Sequence, residues 1–454
     1  MKKNILAVVG LVIAAPLLAQ KPIAAWNVVP FQRVDGVFNA GVVALHEKDL
    51  RVEFSINGKV FFKTSKAVEN PRTGVKEYVV AFPAEKLSKR LGDREFKLGA
   101  KVFVEGDTQA YALQDISLYS NGNHSLGSQK IVWADSKNGN EFAEGTKSAP
   151  VMSLAQAVKK AGDGGTVFLK PGSYSLKMLG GGVNRKFWTK VTLAPGTDRS
   201  EVKLFAGRTG TEKLYFKDLD FFADIDVGDY GAIVLGESGK TMAWFENCNF
   251  TNLKGRHAGQ SYPFGNKLLA YVIGGATYDM ASGPTAVLLR AHTVKTVASM
   301  AIPGSDSLVV NCVVNGVEPG SDSYSNDFLS ARAIAPSWAE NLIVYGLKAS
   351  NISCRAFSIQ RLRNSAIADV TFEGFNADET ASVFDGEVES VFIHNLSMSP
   401  QGVKCVAPKK GVGGFSPKGV LIKGSSFGVL ENFPLTDGTK GIELRDCSYR
   451  AVQK

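Results

Sequence analysis

The sequence predicts an all-β protein in which a small antiparallel β-sandwich is followed by a long β-solenoid. The main observation is an apolar pattern in the second half of the chain, where inward-type residues recur at steps of two, three and two residues. Period two is typical of strands, and the step of three indicates a tight corner. The units begin roughly 22 to 35 residues apart, with one double-length gap, which is typical of solenoid coils.

Eight repeats carry this pattern, and each is interpreted as a strand, a bend and a second short strand. The repeats are Leu214, Phe216, Leu219, Phe221; Ala243, Phe245, Cys248, Phe250; Ser307, Val309, Cys312, Val314; Leu342, Val344, Leu347, Ala349; Ser365, Ile367, Val370, Phe372; Val391, Ile393, Leu396, Met398; Val420, Ile422, Ser425, Phe427; and Ile442, Leu444, Cys447, Tyr449. Three cysteines share the third slot, so we interpret them as small apolar fillers. Cys354 and Cys405 lie outside this register, and one disulfide between them stays open as an alternative.

The first 19 residues have the composition of a secretory signal peptide. A charged start, Met1 to Asn4, precedes the apolar run from Ile5 to Ala19. The run contains Gly10 and Pro16 and is shorter than the roughly 20 apolar residues of a membrane span, although an uncleaved anchor is the alternative. We therefore expect cleavage near Ala19 and a mature chain that is secreted, periplasmic or at the cell surface, with no membrane span.

Residues 20–125 are predicted to form an immunoglobulin-like β-sandwich. Short alternating stretches such as 51–56 and 77–82 are separated by turn signals, including Asn57-Gly58. Evenly spaced short strands with hairpin turns are typical of such sandwiches. The stretch 118–128, rich in Ser, Asn and Gly, is interpreted as the linker that ends this domain.

Residues 131–174 carry a more specific signal. A strand-like segment at 131–134 is followed by polar turns, a helical stretch at 153–161 and a second strand-like segment at 166–169. This order resembles the opening segment of secreted right-handed parallel β-helix proteins of the pectate-lyase-like superfamily, in which a short amphipathic helix covers the first coil. The resemblance, together with the repeats, implies that residues 126–454 form a right-handed parallel β-helix.

The same resemblance implies an interaction with carbohydrate, because proteins of this superfamily bind sugars along a groove on the outer face of their parallel sheets. They are most often polysaccharide lyases, hydrolases or esterases. The sequence contains none of their intact motifs: no Asn-Thr-Asp, Asp-Asp, Gly-His-Gly or Arg-Ile-Lys set of the polygalacturonases, and no pectate-lyase motif. No catalytic residue is therefore carried over, and fold by itself does not establish function.

Charged residues recurring at about one coil give one hypothesis for a site. Asp279, Asp306, Arg332, Arg355 and Asp378 have roughly this spacing and are predicted to stack in a ladder. Asp306, Arg332 and Arg355 are the candidate catalytic residues, because an arginine can pair with a uronate carboxylate near the proton that a lyase removes. The carboxylates of Asp279 and Asp306 are candidate ligands for Ca²⁺. Solvated coil corners are the alternative interpretation.

A long polar insertion and the coil after it are predicted to bind the glycan. Long loops on a rigid solenoid often carry binding surfaces, and aromatic and arginine side chains suit acidic sugars. The candidate substrate-binding residues are Asp322, Tyr324, Asp327, Trp338, Gln360, Arg361 and Arg363. A loop closed by its own Ser, Asp and Asn side chains is the alternative. His257 and His292 are considered as general bases, but hydrogen bonding at coil corners is favoured for both.

Two functions remain open from the sequence. A net charge of +9 suits an anionic polysaccharide or a cell-surface glycan, which the protein binds or cleaves. The alternative is a non-catalytic surface or structural protein, such as an adhesin, a fibre or an assembly component, and oligomerisation is compatible with either. Nucleic acid is not an expected partner, because the basic residues form no run.

Overall fold

The computed structural model describes a sandwich and a stacked β-helix, which together account for most of the chain. The described residues are 21–127, 130–177, 179, 184–205, 207–208, 212–223, 231–235, 241–253, 261–264, 268–280, 286–296, 299–302, 306–317, 332–336, 339–352, 355–357, 361–373, 380–382, 387–398, 404–406, 417–431 and 441–452. The predicted signal peptide lies outside them. Among them, no helix is long and apolar enough to cross a membrane.

The N-terminal domain consists of two sheets that enclose a common apolar core. Its strands are β1 (Ile23–Trp26), β2 (Arg33–Val34), β3 (Val37–Leu45), β4 (Leu50–Ile56), β5 (Lys59–Thr64), β6 (Val68–Glu69), β7 (Lys76–Pro83), β8 (Glu95–Val104), β9 (Ala110–Ala112) and β10 (Ile116–Ser120), with the helix α1 (Ala84–Leu91) after β7. One sheet has the order β1-β3-β7-β6 and the other β2-β10-β8-β4-β5, with β9 beside β8. Phe54, Phe96 and Leu118 are fully buried between them.

The predicted linker is partly wrong, because β10 continues to Ser120 and pairs with β8. Leu118 and Ser120 are buried in the sandwich, so these residues belong to the domain. Beyond Ser120 the chain is held in place by Asp93, whose carboxylate accepts hydrogen bonds from the backbone N–H groups of Asn123 and Ser125. The connection between the two domains is therefore anchored at its start.

The second domain is a stack of coils in which neighbouring strands are parallel. Its strands are β11 (Ile131–Ala134), β12 (Thr166–Leu169), β13 (Gly172–Ser175), β14 (Thr189–Leu193), β15 (Val202–Phe205), β16 (Gly207–Arg208), β17 (Glu212–Lys217), β18 (Asp220–Ala223), β19 (Gly231–Leu235), β20 (Met242–Glu246), β21 (Asn249–Asn252), β22 (Ser261–Phe264), β23 (Leu269–Ile273), β24 (Ala276–Tyr278), β25 (Leu288–Arg290), β26 (Thr293–Thr296), β27 (Ser299–Ile302), β28 (Leu308–Val310), β29 (Val313–Val317), β30 (Arg332–Pro336), β31 (Ala339–Glu340), β32 (Ile343–Tyr345), β33 (Lys348–Ile352), β34 (Arg355–Phe357), β35 (Arg361–Phe372), β36 (Thr380–Ser382), β37 (Glu387–Met398), β38 (Lys404–Val406), β39 (Lys418–Lys423), β40 (Ser426–Glu431), β41 (Ile442–Arg445) and β42 (Ser448–Val452). The predicted right-handed parallel β-helix is confirmed.

Each coil contributes to a first and a second sheet, which meet at a sharp corner. The first sheet contains β12, β14, β17, β20, β23, β25, β28, β32, the first halves of β35 and β37, then β39 and β41. The second contains β13, β15, β18, β21, β24, β26, β29, β33, the second halves of β35 and β37, then β40 and β42. A third sheet is described in two parts, β16-β19-β22 and β27-β30-β34.

The two-three-two pattern places the predicted residues inside the coils. Phe216 stacks on Phe245 with ring centroids 5.3 Å apart, and Phe221 stacks on Phe250 at the same separation. Stacking of like side chains from coil to coil fills the interior at high density. Among the described side chains, Tyr449 is an exception, because it is 39% exposed instead of buried.

The first coil is covered as the sequence predicts. The helix α2 (Leu154–Ala161) buries Leu154, Ala157, Val158 and Ala161 against the β-helix. Ser153 caps the helix, because its hydroxyl oxygen accepts a hydrogen bond from the backbone N–H of Gln156. The helix therefore shields the apolar end of the solenoid from water and from other strands.

The sandwich packs along the outer face of the first sheet. The contact is an apolar cluster that contains Ile23, Val29, Val43 and Val75 from the sandwich and Trp188, Trp244, Tyr271, Leu288, Leu308, Val310, Ile343, Ala366, Phe392 and Leu421 from the β-helix. Two hydrogen bonds fix the arrangement: the Trp188 indole N–H donates to the Pro30 carbonyl oxygen over 2.7 Å, and Arg290 donates to Asn27 Oδ1 over 2.6 Å. One face of the solenoid is therefore occupied by the protein's own first domain.

Candidate functional site

The outer face of the second sheet carries a straight row of aromatic and lysine side chains. Five in-register positions on consecutive strands form this aromatic column, which consists of Phe205, Phe222, Thr251, Tyr278 and Lys295. They face outward because each is next to a buried inward residue in an alternating strand. With strands about 4.8 Å apart, the column runs roughly 19 Å along the solenoid axis.

The aromatic column is open to solvent at several points. The rings of Phe205 and Phe222 are tilted by 38° with centroids 6.0 Å apart, and Tyr278 is 38% exposed. The Lys203 ammonium lies 5.9 Å from the centroid of the Phe222 ring, and the exposed Lys295 ends the column. Aromatic faces pack against sugar rings, while ammonium groups attract carboxylates. The arrangement thus combines an apolar platform with positive charge.

A fixed polar edge lies beside the aromatic column. Asp220 immediately precedes Phe221 in the same strand. Its carboxylate accepts a hydrogen bond from Arg199 Nε over 2.7 Å and one from Asn249 Nδ2 over 2.9 Å. The second guanidinium nitrogen Nη2 of Arg199 lies 2.6 Å from the same carboxylate oxygen. This network holds the rungs of the column in place while leaving the lysines available.

The predicted arginine pair is brought together at the level of the backbone. Arg332 begins β30 and Arg355 begins β34, and the two positions are register partners on neighbouring strands of the third sheet. Arg361 begins β35 opposite Glu387 of β37. Arg332 and Arg355 are therefore one coil apart, as the sequence predicts.

The predicted ladder of aspartates and arginines does not form one column. Asp306 lies two residues before the first-sheet strand β28, whereas Asp279 directly follows the second-sheet strand β24. Arg332 and Arg355 lie on the third sheet. The coils differ in length, so residues at a constant sequence spacing fall at different corners. Asp279 and Asp306 are consequently not side by side as a shared calcium site requires.

The carboxylate of Asp306 has a local partner. Its Oδ1 accepts a hydrogen bond from Asn341 Nδ2 of the next coil over 2.8 Å, and its side chain is exposed. Arg363 lies 3.7 Å from Glu389 in a half-exposed ion pair. In the part of the chain that the structure describes, no group of three or more His, Cys, Asp or Glu side chains is placed to hold a metal ion.

Several predicted site residues lie outside the described residues. They are Asp322, Tyr324, Asp327, Trp338, Gln360, Asp378, His257 and Cys354. Of the remaining cysteines, Cys248, Cys312 and Cys447 are free thiols in the interior of the coils, as the shared slot predicts. Burial raises the pKa of both Cys248 and Cys312 to about 12, which keeps these thiols protonated and unreactive.

His292 is placed inside a coil and not on a surface. It is fully buried, and its Nδ1 lies 2.8 Å from the Gly274 carbonyl oxygen, which can only accept a hydrogen bond. Nδ1 therefore carries the proton, and Nε2 accepts from the Thr277 hydroxyl over 2.9 Å. The favoured interpretation, hydrogen bonding at a coil corner, is confirmed for this histidine.

The aromatic column was not predicted from the sequence, although a signal for it exists. The two-three-two pattern consists of the inward positions only, whereas Phe222 and Tyr278 occupy outward positions of the same strands. An aromatic residue at an outward slot is exposed on a rigid surface unless another domain covers it. Only the docking of the sandwich shows which of these outward faces stays open.

Comparison with known proteins gives a likeness of fold. No family model and no curated protein matches the chain. Among solved structures, it is similar to a GH136 lacto-N-biosidase from Eubacterium ramulus, with 10% identity over 73% of this chain and 69% of that one, and a TM-score of 0.42. A Family 28 exopolygalacturonase from Yersinia enterocolitica is 8% identical over 94% and 98% of the two chains, with a TM-score of 0.31. A rhamnogalacturonan lyase is 11% identical over 68% and 75%, with a TM-score of 0.27.

Proposed function

We propose that this protein is an exported carbohydrate-binding protein that holds an anionic polysaccharide along the aromatic column. The observation that carries the proposal is the in-register row of Phe205, Phe222 and Tyr278 with Lys295 at its end. A chain of sugar rings along the solenoid axis meets these side chains in turn. Lys203 and Lys295 supply the positive charge that pairs with uronate or sulfate groups.

Binding is tested by titrating the mature protein with polygalacturonate, alginate and a neutral glucan in calorimetry at two salt concentrations. We expect binding of an acidic polymer that weakens at high salt, because charge attraction is screened. Tyr278→Ala should reduce the affinity about tenfold, because it removes an aromatic ring that packs against the sugar and tenfold corresponds to about 1.4 kcal/mol. Lys203→Ala with Lys295→Ala should reduce the affinity and its salt dependence.

Matched controls are available on the same solenoid. Tyr449 is 39% exposed, compared with 38% for Tyr278, but it lies in the last described coil. Lys159 is exposed on the capping helix α2. Tyr449→Ala and Lys159→Ala should leave binding unchanged. Equal losses in the control and the column variants, or no binding of any acidic polymer, would contradict the proposal.

Cleavage of the bound polymer is a further part of the same proposal. Incubation with and without Ca²⁺, followed for ultraviolet absorbance of unsaturated uronates and for reducing ends, distinguishes a lyase from a hydrolase. Arg332→Ala and Arg355→Ala test two of the predicted catalytic residues, which are register partners on the third sheet. Binding without either product identifies a non-catalytic polysaccharide-binding protein.

A structural or adhesive role is the second candidate, favoured by one specific observation. Strand β5 ends its sheet in the order β2-β10-β8-β4-β5, and it presents Val60 and Phe62, each 40% exposed. An open strand edge with apolar side chains is a template for pairing with another chain. Sedimentation of the wild-type protein and of Phe62→Lys tests this role: concentration-dependent assembly that the substitution abolishes would favour it over glycan binding.

A further inference from the structure

A pocket lies where the sandwich meets the last third of the first sheet, and the proposed polysaccharide site makes no use of it. This junction pocket has a volume of about 280 Å³. Its lining comprises Val43, Ala44, Leu45, His46, Glu47, Lys48, Asp49, Leu50, Ala67, Lys76, Glu77 and Tyr78 from the sandwich and Tyr345, Ala368, Asp369, Phe392, His394 and Lys423 from the β-helix. Ligand sites form preferentially at such boundaries between domains.

One column of the β-helix explains why a space exists there. Tyr345, Ala368, His394 and Lys423 are register partners on β32, β35, β37 and β39 and belong to the outer face of the first sheet. Ala368 is the small residue between two large rings, so the sheet leaves a gap at that rung. The sandwich roofs this gap with the end of β3 and the turn after it.

The far end of the junction pocket is closed by an ion pair. The next residue of the same column, Arg445 on β41, pairs with Glu47 of the sandwich. On the wall, the rings of Phe392 and His394 are nearly parallel, at 15°, with centroids 5.8 Å apart. The pocket therefore has an aromatic wall, a charged end and a polar roof.

Glu77 is the buried carboxyl group of the lining. It is 1% exposed, and its Oε1 accepts hydrogen bonds from Asn70 Nδ2 over 2.6 Å and from the Thr73 hydroxyl over 2.9 Å. Its Oε2 has no hydrogen-bond partner among the residues that the structure describes. Burial raises the pKa of Glu77, while hydrogen bonding from Asn70, Thr73 and Asn27 and the charge of Arg290 lower it, so groups of the protein itself surround this carboxyl.

The charges of the lining select an uncharged ligand. Glu47 is already paired with Arg445, and Asp369 Oδ1 accepts a hydrogen bond from Asn395 over 2.7 Å. Of the other two acidic lining residues, Glu77 lies close to the charges of Arg72 and Arg290, and the basic lining residues are Lys48, Lys76 and Lys423. The pocket thus combines an aromatic wall with hydrogen-bond donors and acceptors, and charges of both signs line it. Such a lining suits an uncharged ring that carries hydroxyl groups.

We propose that the junction pocket binds one uncharged pyranose ring, with the apolar face of the sugar packed on Phe392 and His394. Tyr345 provides a further polar group, since its hydroxyl is hydrogen-bonded to Asp369. Burial, followed by the nearby Asp369 carboxylate, raises the pKa of Tyr345, so the hydroxyl stays protonated. This site is separate from the aromatic column and does not depend on the proposed polymer binding.

The test is saturation-transfer NMR on the full chain with four probes: methyl glucoside, methyl galactoside, N-acetylglucosamine and galacturonate. All measurements use the Tyr278→Ala background, which removes the exposed ring of the aromatic column. We expect transfer to at least one uncharged ring and weaker transfer to galacturonate. Ala368→Leu should abolish the transfer by filling the gap, and His394→Ala should weaken binding at least tenfold by removing half of the aromatic wall.

The outcomes separate the proposal from its alternatives. Circular dichroism and thermal unfolding confirm that each variant is folded. If Ala368→Leu does not fold, His394→Ala alone tests whether the ligand binds in the junction pocket. No transfer to any uncharged ring, or transfer that survives both substitutions, overturns the proposal. Stronger transfer to galacturonate overturns the assignment of an uncharged ligand. Loss of polymer binding in Tyr278→Ala alone leaves the junction pocket intact.

Discussion

His292 shows how single buried polar residues are accommodated in the coils. Both ring nitrogens are hydrogen-bonded to groups of the preceding coil, Gly274 and Thr277, and no water is needed. Burial lowers the pKa of His292 to about 4, with the hydrogen bond to Gly274 acting in the opposite direction. The folded interior therefore accommodates the neutral imidazole and disfavours the protonated one.

This residue predicts a dependence of stability on pH. The unfolded chain binds a proton at His292 below its ordinary pKa of about 6.5, whereas the folded chain does so only below about 4. The neutral ring is thus fully stabilising above pH 6.5, and the contribution is lost as the pH falls from about 6.5 to 4, by about 3 kcal/mol in total. Urea unfolding at pH 7, 5.5 and 4.5 measures this slope.

The matched variant is His292→Asn, whose amide can still donate to the Gly274 carbonyl but cannot titrate. It should be less stable than the wild type at pH 7 because it leaves a cavity. Its unfolding free energy should fall less steeply between pH 6.5 and 4. If the two slopes are equal, the depressed pKa of His292 does not contribute to acid sensitivity.

At the scale of elements, the corner between the first and second sheets is the most regular device of the fold. It is occupied in successive coils by residues with positive φ, namely Asp218, Asn247, Gly274, Ala291, Asn311, Gly346, Asp369, Asn395, Gly424 and Asp446. Asn, Asp and Gly tolerate this left-handed conformation, because a short polar side chain or no side chain relieves the steric conflict. The corner explains the step of three in the apolar pattern.

Ala291 is the strained member of this series, with φ at 52° and no polar side chain to compensate. Ala291→Gly should raise the free energy of unfolding by about 0.5 to 1 kcal/mol, because relief of the left-handed strain exceeds the added chain entropy of glycine. Chemical denaturation at pH 7 measures the change. Ala349→Gly, in a buried strand position of the second sheet, should instead lower stability by about 1 kcal/mol. A loss of stability in Ala291→Gly would show that the corner is not strained.

At the scale of the whole molecule, the docked sandwich decides which surfaces are available. Its apolar residues cover the outer face of the first sheet from Trp188 to Leu421. Burying such large side chains contributes on the order of 1.5 to 3 kcal/mol each, so the two domains are expected to unfold together. The outer face of the second sheet and the junction pocket are then left open for ligands.

Ile343→Asp tests this coupling. Ile343 is fully buried at the domain contact, so an aspartate there places an unpaired charge in an apolar interface. We expect calorimetry to show two separate unfolding transitions instead of one, and small-angle scattering to show a larger radius of gyration. Val344→Ala, on the inward side of the same strand, should lower the melting temperature of the β-helix without separating the domains. A single transition and an unchanged radius in Ile343→Asp would contradict rigid docking.

The class of fold and the interior of the coils follow from the amino-acid pattern alone. The spacing of Phe216, Phe221 and their counterparts is a local property of strands and corners, and it is repeated often enough to predict the β-helix. The capping helix α2 was predictable for the same reason, since Leu154, Ala157 and Val158 follow helical spacing. These features depend on neighbours in the sequence or one coil away.

The outward residues that form surfaces, in contrast, depend on contacts between parts of the chain that are distant in sequence. Coil lengths vary, so the predicted ladder of Asp279, Asp306, Arg332 and Arg355 is divided among three places of the coil. The docking of the sandwich covers one aromatic face and leaves the column of Phe222 and Tyr278 open, which no local pattern encodes. The physical reason is that contacts between domains depend on the complementarity of whole surfaces, whereas the coil interior is set by a repeated local period.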